Sequence, residues 1–239
     1  MSMVAKSPVF EKIYRDYLEQ VVGADILSKA EKLGIQADKD ETVIPFFSKS
    51  FTVSAKGITD PDGTTPTHAV NVVLCKYLLI FSAEELQTES PQMPAWVSYR
   101  DFKDAAPFAG AFANNTERAI EGKFSGRLDA LKTAGKSLGG YSPDIDLSHD
   151  LSMVFDALPK VPILLLFNDA DDEFPAQCSV LFERRAEKYL DMECLAMVGW
   201  LLADHLIQAG ENDNYQIGFV VPRSVRRHLN AEPRTFPIC

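Results

Sequence analysis

No two of the four cysteines, Cys75, Cys178, Cys194 and Cys239, stand close enough to make a Cys-x-x-Cys pair. Zinc ribbons, thioredoxin-like redox motifs and most iron–sulfur sites use such pairs, so the spacing disfavours a metal centre built from this chain alone. Cys75 and Cys178 lie among apolar neighbours, where a free cysteine behaves as a small hydrophobe, and they are expected to be reduced and buried. Basic charge is also short, with Lys plus Arg at 24 against 34 for Asp plus Glu and a net charge of −10. A surface that acidic repels a phosphate backbone over any broad face, which argues against nucleic acid as a partner. No apolar run approaches membrane-spanning length, and no basic start leads into an apolar segment with a cleavage site. We therefore expect a cytoplasmic protein that does not enter a membrane. Neither GxxxxGK(S/T) nor GxGxxG occurs, so Gly139 and Gly140 read as a helix stop rather than a phosphate loop.

What is present suits a globular domain. The chain has 239 residues, 46% of them hydrophobic, enough for a substantial core. We expect one domain over residues 1–220, followed by a tail over residues 221–239. That tail carries Arg223, Arg226, Arg227 and Arg234 against the single acid Glu232, with prolines at 222, 233 and 237. A basic tail on an acidic body suits a loosely docked terminus or a contact with a protein partner.

The strongest signal is central. Val161 to Phe167 is an unbroken apolar run of strand length, as expected for an interior strand covered on both faces. Asp169, Asp171, Asp172 and Glu173 follow together in a turn. From Ala176 the pattern alternates, with Cys178, Val180 and Phe182 on one face, so the two segments are predicted to form a hairpin. Asp191 stands at an N-cap position, Glu193 falls in the first turn, and Leu195, Val198, Leu202 and Leu206 follow at helical spacing. Gly210 is expected to end that helix.

Elsewhere, Phe10, Ile13, Tyr14, Tyr17, Leu18 and Val21 predict a first helix over Val9 to Lys32, with Gly23 marking a break and Gly34 the end. Thr42 to Ala55 reads as a small hairpin about Ser48, Lys49 and Ser50. Asp60, Pro61, Asp62 and Gly63 make a turn; as a calcium loop it fails, because its twelfth position is Asn71. Thr67 to Phe81 is apolar on nearly every face and should be the central buried helix. Pro107 to Ala113 is expected as a loop. Asn114 and Glu117 have capping-box spacing before a helix whose inner face is Ile120, Phe124, Leu128, Leu131 and Leu138. The fold class is therefore α+β, a mainly antiparallel sheet packed with about four helices, one of them central and apolar.

The residues Asp171, Asp172, Glu173, Phe174 and Pro175, then Leu181, Phe182, Tyr189, Leu190 and Glu193, resemble a domain family of unknown function found mainly in anaerobic bacteria and archaea. Leu74, Tyr77, Leu78 and Leu79, the run Trp96 to Arg100 with Phe102, and Leu138, Gly139 and Gly140 follow the same resemblance, which spans about Phe10 to Leu206. Some relatives are fused to a four-cysteine iron–sulfur module, which this chain lacks. The resemblance implies a place near anaerobic redox or metallocofactor chemistry and supplies no catalytic residues.

Three groups of residues carry candidate chemistry. His68, Asn71 and Cys75 share one helical stripe, either lining a ligand pocket with His68 as base or axial metal ligand, or placing His68 and Asn71 in an exposed first turn above a core cysteine. Helix starts favour polar residues, and the second reading is preferred. Trp96, Tyr99 and Arg100 could wall a small-molecule pocket against that helix, with Arg100 clamping a carboxylate or phosphate, or Trp96 could be core with Arg100 paired to the acidic surface, and the sequence favours neither. Asp169, Asp171 and Glu173 could hold a divalent metal for a hydrolase or transferase. They depart from haloacid-dehalogenase-like phosphatases, which want Thr or Val where Glu173 stands, and plain solvation of the turn comes first. The reading expected for the whole is an accessory or small-molecule-binding protein, with a metallocofactor among the ligands considered. A metal-dependent enzyme and a structural subunit of a larger complex are the alternatives. No cofactor and no reaction is specified.

Overall fold

The computed structural model describes residues 8–81, 95–144 and 147–211. In chain order the elements are α1 (Pro8–Gly23), α2 (Ala30–Leu33), β1 (Gln36–Ala37), β2 (Glu41–Phe46), β3 (Lys49–Ser54), β4 (Gly57–Thr59), α3 (His68–Ile80), β5 (Trp96–Ser98), α4 (Ala106–Phe112), α5 (Arg118–Phe124), α6 (Leu128–Ser137), β6 (Leu151–Leu158), β7 (Val161–Asn168), β8 (Gln177–Glu183) and α7 (Met192–Glu211). The class is α+β, with every strand pairing antiparallel.

The apolar run at Val161 becomes β7, an interior strand of a sheet ordered β5-β8-β7-β6. Leu165 sits opposite Met153 on β6 and Val180 on β8, so one face presents apolar residues from three strands. That face packs into the main core with α3 and α7, while Leu164 and Leu166 turn the other way into a smaller cluster with Val154, Trp96, Leu147 and Leu181. The continuous apolar sequence of β7 is thus explained by two covered faces. The second sheet, β1-β2-β3-β4, is a meander in which the expected hairpin is its middle pair. The two sheets meet where the Phe47 amide donates to the Ala157 carbonyl at 2.8 Å.

Helix α3 is the central apolar helix. The Thr67 side chain caps it by accepting from the Val70 amide, and Val70 to Cys75, Tyr77 and Leu78 are buried. Tyr77 fixes its depth by donating to the Leu33 carbonyl at 2.7 Å. Helix α7 begins after Asp191, whose Oδ1 accepts from the Cys194 amide at 2.9 Å.

The break expected at Gly23 is present: α1 ends there, a 3₁₀ turn follows at Leu27–Lys29, and the short α2 runs up to Gly34. Four expectations are corrected. Pro107 to Ala113 is helical rather than a loop, because proline fits the first turn of α4, where its missing amide hydrogen costs nothing. Asn114 does not cap a helix: it lies in a π-helical segment, Ala113–Glu117, that runs straight on from α4, and its Oδ1 accepts from the Arg118 guanidinium at 2.7 Å. The helix expected to run to Leu138 breaks at Gly126, which has φ +69° and donates to Asp169 Oδ1 at 2.6 Å. Lastly, Gly210 does not cap α7, which continues to Glu211; it is glycine because the Phe124 ring lies where a Cβ would stand. Among the described residues no helix is long and apolar enough to cross a membrane. The arginine tail, Cys239 and the Pro91 and Pro94 connector fall outside the described residues.

Candidate ligand-binding site

The residues proposed from sequence as a pocket do not form one wall. His68 opens α3 half-buried, while Asn71 one turn later is only 5% exposed, which corrects its expected place in an exposed first turn. Its Nδ2 donates to the Pro66 carbonyl at 3.3 Å, and its Oδ1 has no hydrogen-bond partner among the described residues. Cys75 is a free, fully buried thiol, pushed up to about 12 by burial. Trp96 packs in the small cluster on the outer face of the sheet, whereas Tyr99 stacks on Phe112 in the main core at 4.4 Å and donates to the Met192 carbonyl. Arg100 is exposed, and its charge is felt by Glu117. Trp96 on β5 and Tyr99 in the 3₁₀ turn that follows the strand therefore lie in different clusters, on opposite sides of the sheet.

The acidic turn is exposed and largely occupied with its own backbone. Asp171 Oδ1 accepts from the amides of Glu173 at 2.8 Å and Phe174 at 2.7 Å, which hold its carboxyl below the usual range. Asp169 Oδ1 accepts from Gly126 and from Ala170. Glu173 is exposed. Among the described residues no three His, Cys, Asp or Glu side chains are grouped as metal ligands.

The structure instead opens a cavity of about 350 Å³ that sequence spacing does not reveal. It lies where the β2–β3 turn, the start of α3, the end of α6 and the last turns of α7 converge, and Phe46, Phe47, Lys49, Val70, Leu138 and His205 are among its lining. The size is that of ordinary small-ligand sites. Its apolar wall is aromatic: Phe46 meets Phe47 edge-on at 4.8 Å and Phe51 at 6.2 Å. Phe47 occupies the first turn position between Phe46 and Lys49 with φ +49°, a left-handed conformation in which hairpins ordinarily place glycine. A phenylalanine held there costs about 1–3 kcal/mol, a level of strain that clusters at functional positions.

His205 supplies the polar chemistry. Burial, with a smaller contribution from the charge of Lys49, holds its imidazole below the ordinary value of 6.5, so it is neutral at pH 7. No hydrogen bond to another described residue engages either ring nitrogen, and the ring packs edge-on against Phe47. A neutral imidazole offers one donor and one acceptor to a ligand and can take up a proton or ligate a metal. The sequence held one faint signal: a histidine directly before the core residue Leu206, on the flank of an apolar stripe.

A family model described as Domain of unknown function (DUF3786) matches residues 25–205. No curated protein and no solved structure matches the chain.

Proposed function

The chain belongs to the DUF3786 family, a family whose function is open, and from the chemistry of the cavity we propose that it is a small-molecule or cofactor-binding protein. The ligand sits beside His205, between the β2–β3 turn and the ends of α6 and α7. The observation that carries this reading is an imidazole kept neutral against an aromatic wall, with its nitrogens bonded to no other described residue. A neutral imidazole on that wall offers a ligand one donor and one acceptor. Phe47, kept in a backbone conformation meant for glycine, closes the same wall and supports the reading. The setting we propose, cytoplasmic and tied to anaerobic metabolism, rests on the resemblance to proteins of anaerobic bacteria and archaea and on the acidic composition.

Native mass spectrometry of protein purified from its own host without oxygen, paired with titration of the neutral dye N-phenyl-1-naphthylamine, tests the reading. Wild-type protein should carry a bound species or take up the dye, and Ala209→Trp and Leu138→Trp, which fill the cavity from two sides, should abolish both. A folded wild-type chain that takes up neither overturns it.

A further inference from the structure

A second concavity, apart from the His205 cavity, lies between the end of α1 and the far end of the β2–β3 pair, a groove of about 320 Å³. Its floor belongs to the core: Val21, Ile26 and Val53 are all buried. Its rim does not. Val22 and Leu27 stand there 57% and 51% exposed, two aliphatic side chains left in water on one groove.

Around them the lining carries four exposed carboxylates, Asp25, Asp38, Asp40 and Glu41, against Lys39. None of the five makes an ion pair with a described residue. The amides of Asp40 and Glu41 donate to Asp38 Oδ1, each at 2.8 Å, and hold its carboxyl below the usual range, so it stays charged. Lys29, on the adjoining turn, gives its ammonium to the Phe81 carbonyl at 3.1 Å. Lys56 follows the last lining residue, Ala55, and the groove remains net negative with both Lys39 and Lys56 counted. The last turn of α1, which ends at the groove, holds no basic residue.

The chain contains a segment of the complementary chemistry. Residues 221–239 carry Arg223, Arg226, Arg227 and Arg234 against Glu232, with Val225 and Leu229 interleaved. The distance is within reach. Ala209, in the last turns of α7, lines the His205 cavity together with Lys49. From Lys49 to Ser54, which lines the groove, β3 rises about 17 Å. The eleven residues 212–222 that lead from α7 to Arg223 span up to about 36 Å. We propose that the segment 221–239 docks in this groove of its own chain, its arginines on the carboxylates of Asp25, Asp38, Asp40 and Glu41, and Val225 and Leu229 against Val22 and Leu27. An exposed ion pair is weak alone, a few-fold in an equilibrium constant, so several pairs and the apolar contact act together. The short tether, which sets a high effective concentration, favours the same chain over a second copy.

Photo-crosslinking of the full chain tests this. The probe p-benzoylphenylalanine is placed at Leu27 or at Val22, two exposed positions that tolerate it, and at Phe174, which is 61% exposed on the acidic turn, as a control. After irradiation, peptide mapping of the band at the mass of one chain should find the probes at Leu27 and Val22 joined to residues 221–239. Substituting Arg223, Arg226 and Arg227 together by serine should lower the yield at least about fivefold, and so should about 0.5 M sodium chloride, which screens exposed charges. The Phe174 probe should not capture the segment. Products joined to other stretches or none at all, products at the mass of two chains, a yield indifferent to the arginines, or equal capture by the Phe174 probe would each overturn the proposal. None of these outcomes bears on the His205 cavity.

Discussion

The ring of Phe47 meets the imidazole of His205 edge-on, with centroids 5.3 Å apart and planes at 85°. One residue is the strained tip of a hairpin and the other lies near the end of α7, so this contact joins the second sheet to the helical layer at the mouth of the cavity.

Replacing Phe47 by glycine separates the two roles of that residue. Glycine relieves the left-handed backbone while the half-buried ring is lost, and the two effects offset each other to within about 1 kcal/mol of folding stability. Dye affinity should nevertheless fall about tenfold because one aromatic wall is gone. Urea denaturation and a fluorescence titration on the same variant check both halves; a loss of several kcal/mol would assign the ring to the core instead.

The pH dependence of stability carries the signature of His205. Its folded value lies below 6.5, so the unfolded chain takes up a proton first as pH falls. The contribution of the neutral ring is therefore intact above about 6.5 and is lost as pH drops from there toward the folded value. His205→Gln removes this dependence. The stability difference between wild type and variant should be larger at pH 7.5 than at pH 5, measured by urea midpoints, and an unchanged difference would contradict the buried neutral imidazole.

Carboxylates on a helix guard the open edge of β8. Strand β5 pairs only with Leu181 to Glu183, and beyond it the amides of Cys178 and Val180 donate to Glu121 Oε1 at 2.9 Å and Glu117 Oε1 at 3.2 Å. Glu121→Ala strands a part-buried amide and should cost about 1–3 kcal/mol. Glu121→Gln keeps an acceptor oxygen and should cost less than half as much. Equal losses in the two variants would show that the methylene stem, not the oxygen, matters.

Two glycines differ in what a methyl would meet. At Gly210 a Cβ would lie 2.8 Å from Cε1 of Phe124, and alanine there should destabilise by about 1–3 kcal/mol. At Gly23 nothing lies within 4 Å, and alanine should be neutral or stabilising by up to about 1 kcal/mol. Thermal melting of the pair distinguishes a close-packing glycine from a helix-ending one.

The amino-acid sequence by itself determined what depends on near neighbours. The apolar run at Val161, the alternation from Gln177, the Thr67 and Asp191 caps and the apolar face of α3 each follow from periodicity or from a hydrogen bond spanning a few residues, and these place the strands of the larger sheet and its two longest buried helices. Only the tertiary structure decided where polar residues went. Asn71 is buried because its neighbours from other elements cover it, and Gly126 breaks a helix because Asp169, distant in sequence, takes its amide. Trp96 and Tyr99 part because a sheet passes between them. The cavity is the fullest case: Phe47 and Lys49, Val70, Leu138 and His205 come from four separate stretches. Their meeting depends on how two sheets and three helix ends pack, and spacing along the chain carries no record of that.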